Sequence, residues 1–423
     1  MTSRTSASGS PTALLLRRSS AALRGVTALA GALALAIAPA CGGDPERRAG
    51  TSELPAFPSR REVFPVGSRA LAYVTNGGSD TVSVVDLDAF ELLATVPVGL
   101  DPIDPDGPSD LALDAAAGTL YVVLSYPAPP NEGPHAAHHG LTRHGFVEAL
   151  SLGELRPLGA LEVDTSPSGL ALGRDGGTLL VVHDDIDRAA QLGDDIALRR
   201  AALWAIAPAA GIAQGTANAR AVNVCAAPYT VNYAAADARA IVTCSGEDSL
   251  AVVDPGPLTV LARVPVAAPR GGVSKPQAAA REPSGTALAV SSSVARAVTL
   301  YRAEDMAVRF ATAFDGSPGV PDGVPYFAAW LGGSRLVVPL QSPDGAALLD
   351  AGSGAVLAAT SYGPNDCGSP RQAVATAAGR VFMLCEGDHF TPGSVVELAP
   401  DTLEVLRAVP VDLAPDRMAV LLP

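Results

Sequence analysis

Short apolar runs separated by polar turns recur along most of this chain. The clearest example is the segment 70–98, in which residues 71–74 form an apolar, β-rich run that stops at the polar turn 75–79. Residues 81–85 and 92–98 supply two further runs of the same kind. Three short β-rich runs joined by turn residues predict an antiparallel meander.

The same strand–turn–strand pattern returns at intervals of about 40 to 60 residues, which is the length that a four-stranded propeller blade takes. Seven second strands are predicted, at residues 71–74, 120–124, 179–182, 240–243, 287–290, 335–338 and 380–384. The final segment, 416–423, has the pattern of an innermost strand. We expect it to complete the first blade, because this pairing closes the ring and removes an exposed sheet edge.

The first run contains the tetrapeptide Tyr73-Val-Thr-Asn76, and the segments 166–182 and 240–254 repeat its strand–turn–strand junction. On these residues the chain resembles the YVTN β-propeller repeat family. The resemblance implies an all-β fold, a single seven-bladed β-propeller of four-stranded antiparallel blades over residues 63–423. It also implies a surface or periplasmic binding module, since such propellers commonly serve in that way.

Composition narrows the possible functions. Charged residues make up 17% of the chain and the net charge is −14. The first forty residues carry four arginines and no acid, so the remainder is near −18. Such a surface repels nucleic acid and anionic lipid, and nucleic-acid binding is therefore excluded. Lys275 is the only lysine, which disfavours Schiff-base and phosphate-loop chemistry.

The start of the chain has the features of an export signal. A basic stretch precedes an apolar run of thirteen residues at 26–38. This run is too short to span a membrane comfortably and is typical of a signal-peptide core. We therefore predict a signal peptide over residues 1–40.

Cys41 follows the sequence Ala38-Pro-Ala40. This resembles a bacterial lipobox and implies acylation of Cys41, although Ala38-x-Ala40 also fits ordinary signal peptidase, which would cut the same bond. Residues 41–62 are interpreted as the lipidated cysteine and a flexible tether. We expect an exported lipoprotein that faces the periplasm or the cell surface. The residue after Cys41 is not acidic, and the resemblance to lipoproteins therefore favours the outer membrane.

The other four cysteines form two similar pairs. Cys225 and Cys367 lie on the approach to innermost strands, whereas Cys244 and Cys385 end the strands that follow. Antiparallel neighbours joined by a hairpin bring such positions together, which predicts the disulfides Cys225–Cys244 and Cys367–Cys385. The alternative is two pairs of buried free thiols. Pairing leaves Cys41 odd, and lipidation accounts for it.

Four of the six histidines lie in a long predicted loop near residues 126–144. His135, His138 and His139 have the spacing that places side chains on one side of a helical turn. With His183 and Asp184 from the equivalent loop of the next blade, they could hold a divalent transition metal. The alternative is a surface loop whose histidines bond locally or to solvent.

No residues meet the requirements for catalysis, and no catalytic residue is assigned. The acidic segment 101–110 lacks the spacing of a calcium loop and is interpreted as a proline-stiffened, solvated loop. Arg302, Arg309 and Arg371 are expected to be salt-bridged or exposed.

Two classes of function are therefore retained. The first is a membrane-tethered, non-enzymatic propeller that binds an envelope protein or another extracytoplasmic ligand through its loop-rich face, or acts as a scaffold. We expect it to be a monomer. Its only contact with the membrane is the lipid anchor. The alternative is a metal-dependent oxidoreductase or lactonase-like hydrolase with a His/Asp site at the channel mouth. The two differ in whether the histidines converge on the channel axis.

Overall fold

Seven four-stranded antiparallel sheets, arranged as the blades of a ring, make up almost all of the computed structural model. The structure describes residues 63–100, 105–125, 144–191, 196–234 and 238–423. The protein is a seven-bladed β-propeller, as the sequence predicts. Within those residues no helix is long and apolar enough to cross a membrane.

Strands are numbered along the chain. Blade 1 contains β1 (Leu71–Asn76), β2 (Thr81–Asp86) and β3 (Glu91–Pro97); blade 2 contains β4 (Pro108–Asp114), β5 (Thr119–Leu124), β6 (His144–Ser151) and β7 (Pro157–Thr165); blade 3 contains β8 (Pro167–Leu172), β9 (Leu179–His183), β10 (Arg200–Ala207) and β11 (Asn218–Ala226). Blade 4 contains β12 (Pro228–Ala234), β13 (Arg239–Cys244), β14 (Ser249–Asp254) and β15 (Thr259–Pro265); blade 5 contains β16 (Pro276–Arg281), β17 (Ala287–Ser292), β18 (Ala297–Arg302) and β19 (Val308–Ala313).

Blade 6 has a divided inner strand, β20 (Val324–Pro325) and β21 (Ala329–Leu331), followed by β22 (Arg335–Gln341), β23 (Gly345–Asp350) and β24 (Val356–Ser361). Blade 7 contains β25 (Pro370–Ala375), β26 (Val381–Cys385), β27 (Pro392–Leu398) and β28 (Val405–Leu413), and the last strand is β29 (Pro415–Leu421). Three short helices, α1 (Ile186–Gln191), α2 (Gly211–Gln214) and α3 (Pro364–Cys367), lie in connections between strands.

The ring is closed by β29, which pairs antiparallel with β1 and becomes the innermost strand of blade 1. Leu71 lies opposite Leu421, and Thr75 lies opposite Arg417. This confirms the predicted closure, in which the two ends of the described propeller share one sheet.

The seven predicted second strands correspond to β1, β5, β9, β13, β17, β22 and β26. They are buried almost along their whole length, because each blade packs against a neighbour on both faces. Between blades 1 and 2, for example, Tyr73 and Leu120 belong to one apolar cluster. The Tyr73 hydroxyl donates to the Leu152 carbonyl at 2.9 Å, so this buried phenol is satisfied. Apolar runs rather than strict alternation are the expected sequence of such strands.

Both predicted disulfides are present. The Cα atoms of Cys225 and Cys244 are 5.7 Å apart, and those of Cys367 and Cys385 are 5.2 Å apart. Cys225 lies near the end of β11, in blade 3, and Cys367 ends α3; each is bonded to the last residue of the next blade's second strand, β13 or β26. The alternative of free thiols is wrong.

Candidate ligand site at the loop-rich mouth of the channel

The innermost strands begin in a common way. Six of them start at a proline that follows a residue with positive φ, which is Gly107, Ser166, Ala227, Lys275, Ser369 or Ala414. Positive φ is uncommon for residues other than glycine. In five of these six strands the pairing register shifts within two or three residues after the proline. In the sixth, β29, the register shifts at Pro415. Side chains just after these prolines meet at one end of the channel, which we call the loop-rich face.

The residues that meet there are Asp110, Tyr229, Arg371, Glu386, Asp416 and Arg417, which we call the mouth cluster. Arg371 lies at its centre. Its Nη2 atom is 2.6 Å from Oδ1 of Asp416 and donates to the Tyr229 hydroxyl at 3.0 Å. Its Nε atom lies 3.5 Å from Oε1 of Glu386. Because Tyr229 belongs to blade 4 and Asp416 to blade 1, these contacts cross the channel.

Arg371 is almost buried, with 13% of its side chain exposed. Burial by itself would lower the pKa of Arg371, but Asp416, Tyr229 and Glu386 raise it above its usual value. Burial also tends to raise the pKa of Asp416, and the two guanidinium groups of Arg371 and Arg417 outweigh that effect and lower it. The pair is therefore ionised in the folded protein.

Two aromatic residues lie beside these charges. The inner strand of blade 6 is interrupted between β20 and β21, and Tyr326 and Phe327 occupy the interruption. The Arg371 Cζ atom is 5.2 Å from the Tyr326 ring centroid, and that of Arg417 is 3.4 Å from the centroid of Phe327. Phe327 is fixed to blade 7 by hydrogen bonds to the backbone of Arg371 and Ala373. Cation–π contacts of this kind hold both guanidinium groups in place.

Asp110 forms the other side of the mouth cluster. Its two carboxylate oxygens accept hydrogen bonds from the backbone of Leu111 and Leu170, each at 2.8 Å. Nε of Arg417 lies 3.9 Å from Oδ1 of Asp110. Burial raises the pKa of Asp110 to about 6, although Arg417 opposes the shift. A carboxyl group that titrates near neutral pH at a channel mouth is the kind of group that active sites use.

Further polar groups surround the cluster. Oε2 of Glu386 accepts a hydrogen bond from Nε2 of Gln341 at 3.1 Å. Asp184, in the connection after β9, has its pKa raised to about 6 by burial, while Lys275 lowers it. The loop-rich face therefore carries both hydrogen-bond donors and hydrogen-bond acceptors.

The predicted metal ligands are placed as follows. His135, His138 and His139 lie outside the described residues. The side chain of His183 is buried, with Nδ1 3.0 Å from the Ala202 carbonyl oxygen and its ring centroid 5.9 Å from that of Trp204. Burial lowers the pKa of His183 to about 4, so its imidazole is neutral at pH 7.

The charges that act on His183 are those of Asp164, Asp185 and Arg188, whereas Lys275 acts on Asp184. Among the described residues, no group of three histidines, cysteines or carboxylates is arranged to hold a metal ion. The metal site stays a prediction from the sequence.

The interpretation of the segment 101–110 as a solvated loop is wrong for its described part. Asp106 is fully buried, and the backbone of Asp106 and Gly107 donates to Oδ1 of Asp80 at 3.0 and 2.8 Å. Asp110 belongs to the mouth cluster. Sequence reasoning also passed over Tyr229 and Asp416, although each directly follows a proline that begins an inner strand.

A cavity of about 320 Å³ lies at the opposite end of the channel, where β4, β8, β12 and β16 end. Arg174, Asn232 and Arg281 contribute to its lining. It is separate from the mouth cluster, whose members lie where these strands begin.

Comparison with known proteins supports the fold and leaves the family open. No family model and no curated protein matches the chain. Among solved structures, the periplasmic gluconolactonase PpgL of Pseudomonas aeruginosa is similar over 84% of this chain and 100% of its own, at 16% identity and a TM-score of 0.60. A putative 6-phosphogluconolactonase from Bacteroides fragilis matches over 85% and 99%, at 14% identity and a TM-score of 0.58.

A functionally unknown protein from Desulfotomaculum acetoxidans matches over 84% of this chain and 99% of its own, at 11% identity and a TM-score of 0.60. At such identities the likeness shows the fold alone. The class is that of seven-bladed propellers with lactonase-like structural neighbours. Membership of the YVTN repeat family is not confirmed by these comparisons.

Proposed function

We propose that this protein is an exported propeller, tethered through a lipid on Cys41, that binds a small polar ligand at the mouth of its channel. One observation carries the proposal: Tyr229, Arg371 and Asp416, from three different blades, meet at 2.6 to 3.0 Å on the loop-rich face. Export is supported by the two disulfides, because disulfides persist in oxidising compartments.

A purely structural role explains this arrangement poorly. Replacing a buried ion pair by apolar residues of similar volume is often neutral or stabilising, so such a pair is weak evidence for stability alone. The side chain of Asp416 is 24% exposed, and that of Glu386 is 13% exposed. Partly accessible charges that converge with aromatic rings are typical of the polar groups that orient a ligand in its site.

Binding can be tested by ligand-observed NMR on the mature protein with a panel of neutral, anionic and cationic metabolites. We expect at least one class to bind, with binding lost in Arg371→Met and Tyr229→Phe. Arg302→Met is the matched control, because Arg302 forms an exposed pair with Asp305 on blade 5. If no compound binds, or if Arg371→Met binds as the wild type does, the proposal fails.

Lactone hydrolysis at the same site is the second candidate, favoured by Asp110 and by two structural neighbours whose names denote lactonases. Above pH 6 the Asp110 carboxylate is ionised and can take a proton from the water that attacks the lactone carbonyl, then return it to the ring oxygen as the carbonyl carbon–ring oxygen bond breaks. Arg417 lies beside it, where positive charge stabilises an oxyanion that forms on the lactone carbonyl.

This candidate predicts that the mature protein releases acid from D-glucono-1,5-lactone faster than the spontaneous reaction, as measured in a pH-stat. The rate above background should rise through pH 6 and disappear in Asp110→Asn. Hydrolysis at the spontaneous rate, with binding intact, leaves the protein a binding module.

We also propose that the protein is a monomer, that the lipid on Cys41 anchors it in the membrane, and that an envelope protein binds it. Cys41→Ala should release the protein from the membrane fraction, and light scattering should give a monomer. An envelope protein cross-linked through the loop-rich face would identify a macromolecular partner. Metal content by mass spectrometry, before and after substitution of His135, His138 and His139 by alanine, tests the predicted transition-metal site.

A further inference from the structure

We propose that the mouth cluster takes an uncharged polyhydroxylated compound, a sugar or a sugar lactone, and discriminates against its phosphorylated form. This inference rests on the proposed function and names the class of its ligand. It comes from the way in which the charges of the cluster are already paired.

Both guanidinium groups of the cluster have carboxylate partners. Arg371 contacts Asp416 at 2.6 Å and Glu386 at 3.5 Å. Arg417 contacts Asp416 at 2.8 Å and lies 3.9 Å from Asp110. Two arginines therefore face three carboxyl groups. His389, with Nε2 3.9 Å from Oε2 of Glu386, adds at most one further positive charge, so the cluster has no surplus of positive charge for a phosphate.

Charged groups outside the mouth cluster do not give this face an excess of positive charge either. Asp184, Asp185 and Lys275 interact with one another in connections of the loop-rich face and bring no surplus of positive charge to it. The whole chain carries a net charge of −14, and a concave site with low-dielectric walls concentrates such a field. A dianionic phosphate would be repelled as it approaches and would lie beside the carboxylates of the cluster once bound, and such like-charge contacts disfavour binding.

Hydroxyl groups, by contrast, match the cluster without a change in its charge. A sugar hydroxyl can donate to the carboxylates of Glu386 or Asp416 and accept from the Tyr229 hydroxyl, which itself accepts from Arg371. The Tyr326 ring, whose centroid is 5.2 Å from the Arg371 Cζ atom, adds an aromatic body with a polar end beside these groups. Each donor–acceptor contact of this kind is stronger where one partner is charged.

The test compares matched pairs of compounds on the mature protein. Glucose, mannose, ribose and D-glucono-1,5-lactone are each titrated beside the corresponding phosphorylated compound, by ligand-observed NMR at low and high salt. We expect at least one neutral member to bind at least tenfold more tightly than its phosphorylated counterpart, with a gap that narrows at high salt because screening weakens the repulsion.

Glu386→Gln is the informative variant, since it removes one negative charge beside Arg371 and keeps the side-chain shape. It should narrow the preference for the neutral member by about tenfold, the effect of roughly 1.4 kcal/mol. Glu304→Gln, at the opposite end of blade 5, should leave the preference unchanged. A fold check by circular dichroism accompanies both variants.

The outcomes separate the two proposals. Equal or tighter binding of a phosphorylated member overturns this inference and leaves the proposed ligand site intact. A preference for the neutral member that Glu386→Gln does not alter also overturns it, because the charge of the cluster would then not be the cause. If no member of any pair binds, this inference fails, while the proposed ligand site fails only if the wider metabolite panel also shows no binding.

Discussion

Nη2 of Arg371, in blade 7, lies 2.6 Å from Oδ1 of Asp416, in the strand that completes blade 1. The contact joins two neighbouring inner strands at the closure of the ring. It therefore belongs both to the candidate ligand site and to the stability of the propeller, and variants can separate these two roles.

Asp416→Asn should destabilise the protein by roughly 3 kcal/mol, because it leaves Arg371 buried with a weaker partner. Guanidinium-induced unfolding measures the change. Asp305→Asn is the control, since Asp305 pairs with Arg302 on the exposed surface and its loss should change the unfolding midpoint little. Equal effects of the two variants would contradict the special role of the Arg371–Asp416 pair.

The stability of the protein should change with pH because Asp110 titrates at a different pH in the folded and the unfolded chain. Its pKa is about 6 in the folded protein and near 3.8 in the unfolded chain, so the folded state binds the proton more tightly between these values. The contribution of Asp110 to stability is thus largest below pH 3.8 and is lost as the pH rises through 6.

Asp110→Asn removes this titration. The variant should therefore gain stability relative to the wild type between pH 4 and pH 7, by on the order of 1 to 2 kcal/mol. Urea unfolding at pH 4, 5, 6 and 7 measures the difference. A difference that is constant over this range would show that Asp110 does not titrate as described.

The two disulfides should differ in their effect on ligand binding. Each closes a short loop, with sequence separations of 19 and 18 residues, and each should contribute about 3 kcal/mol to stability. Cys385 directly precedes Glu386, so replacing Cys367 and Cys385 by serine should also weaken ligand binding. The serine pair at Cys225 and Cys244 should weaken binding less, because residues 226–228 separate Cys225 from Tyr229, the member of the mouth cluster that follows it. Equal loss of binding in both variants would contradict this assignment.

Ring closure should be essential for a soluble fold. A chain that stops after Ala414 lacks β29 and exposes the edge of β1, which is a template for intermolecular pairing. We expect oligomers or insoluble protein, measured by size-exclusion chromatography with circular dichroism. A chain that lacks only residues 422 and 423, which lie beyond β29, should behave as the wild type. A monomeric, folded product of the longer deletion would show that β29 is dispensable.

Much of the fold could be predicted because its signals are local. The runs at 71–74 and 381–385 are apolar throughout, since second strands are buried on both faces, and turn residues bound them. The disulfide pairing followed from hairpin geometry at Cys225 and Cys244. The inner strand of blade 6 could not be predicted, because it is interrupted at Tyr326 and Phe327, and the Phe327 backbone bonds to Arg371 and Ala373 of blade 7.

The sequence by itself determined the strands, the seven blades, the closing strand and both disulfides, because periodicity, turn chemistry and short-range pairing act between residues that are close along the chain. Only the tertiary structure decided which polar groups form the site. Arg371 and Tyr229 are 142 residues apart in sequence and 3.0 Å apart in space. Their meeting depends on the closed ring, which sets the distance across the channel, and no local pattern contains that distance.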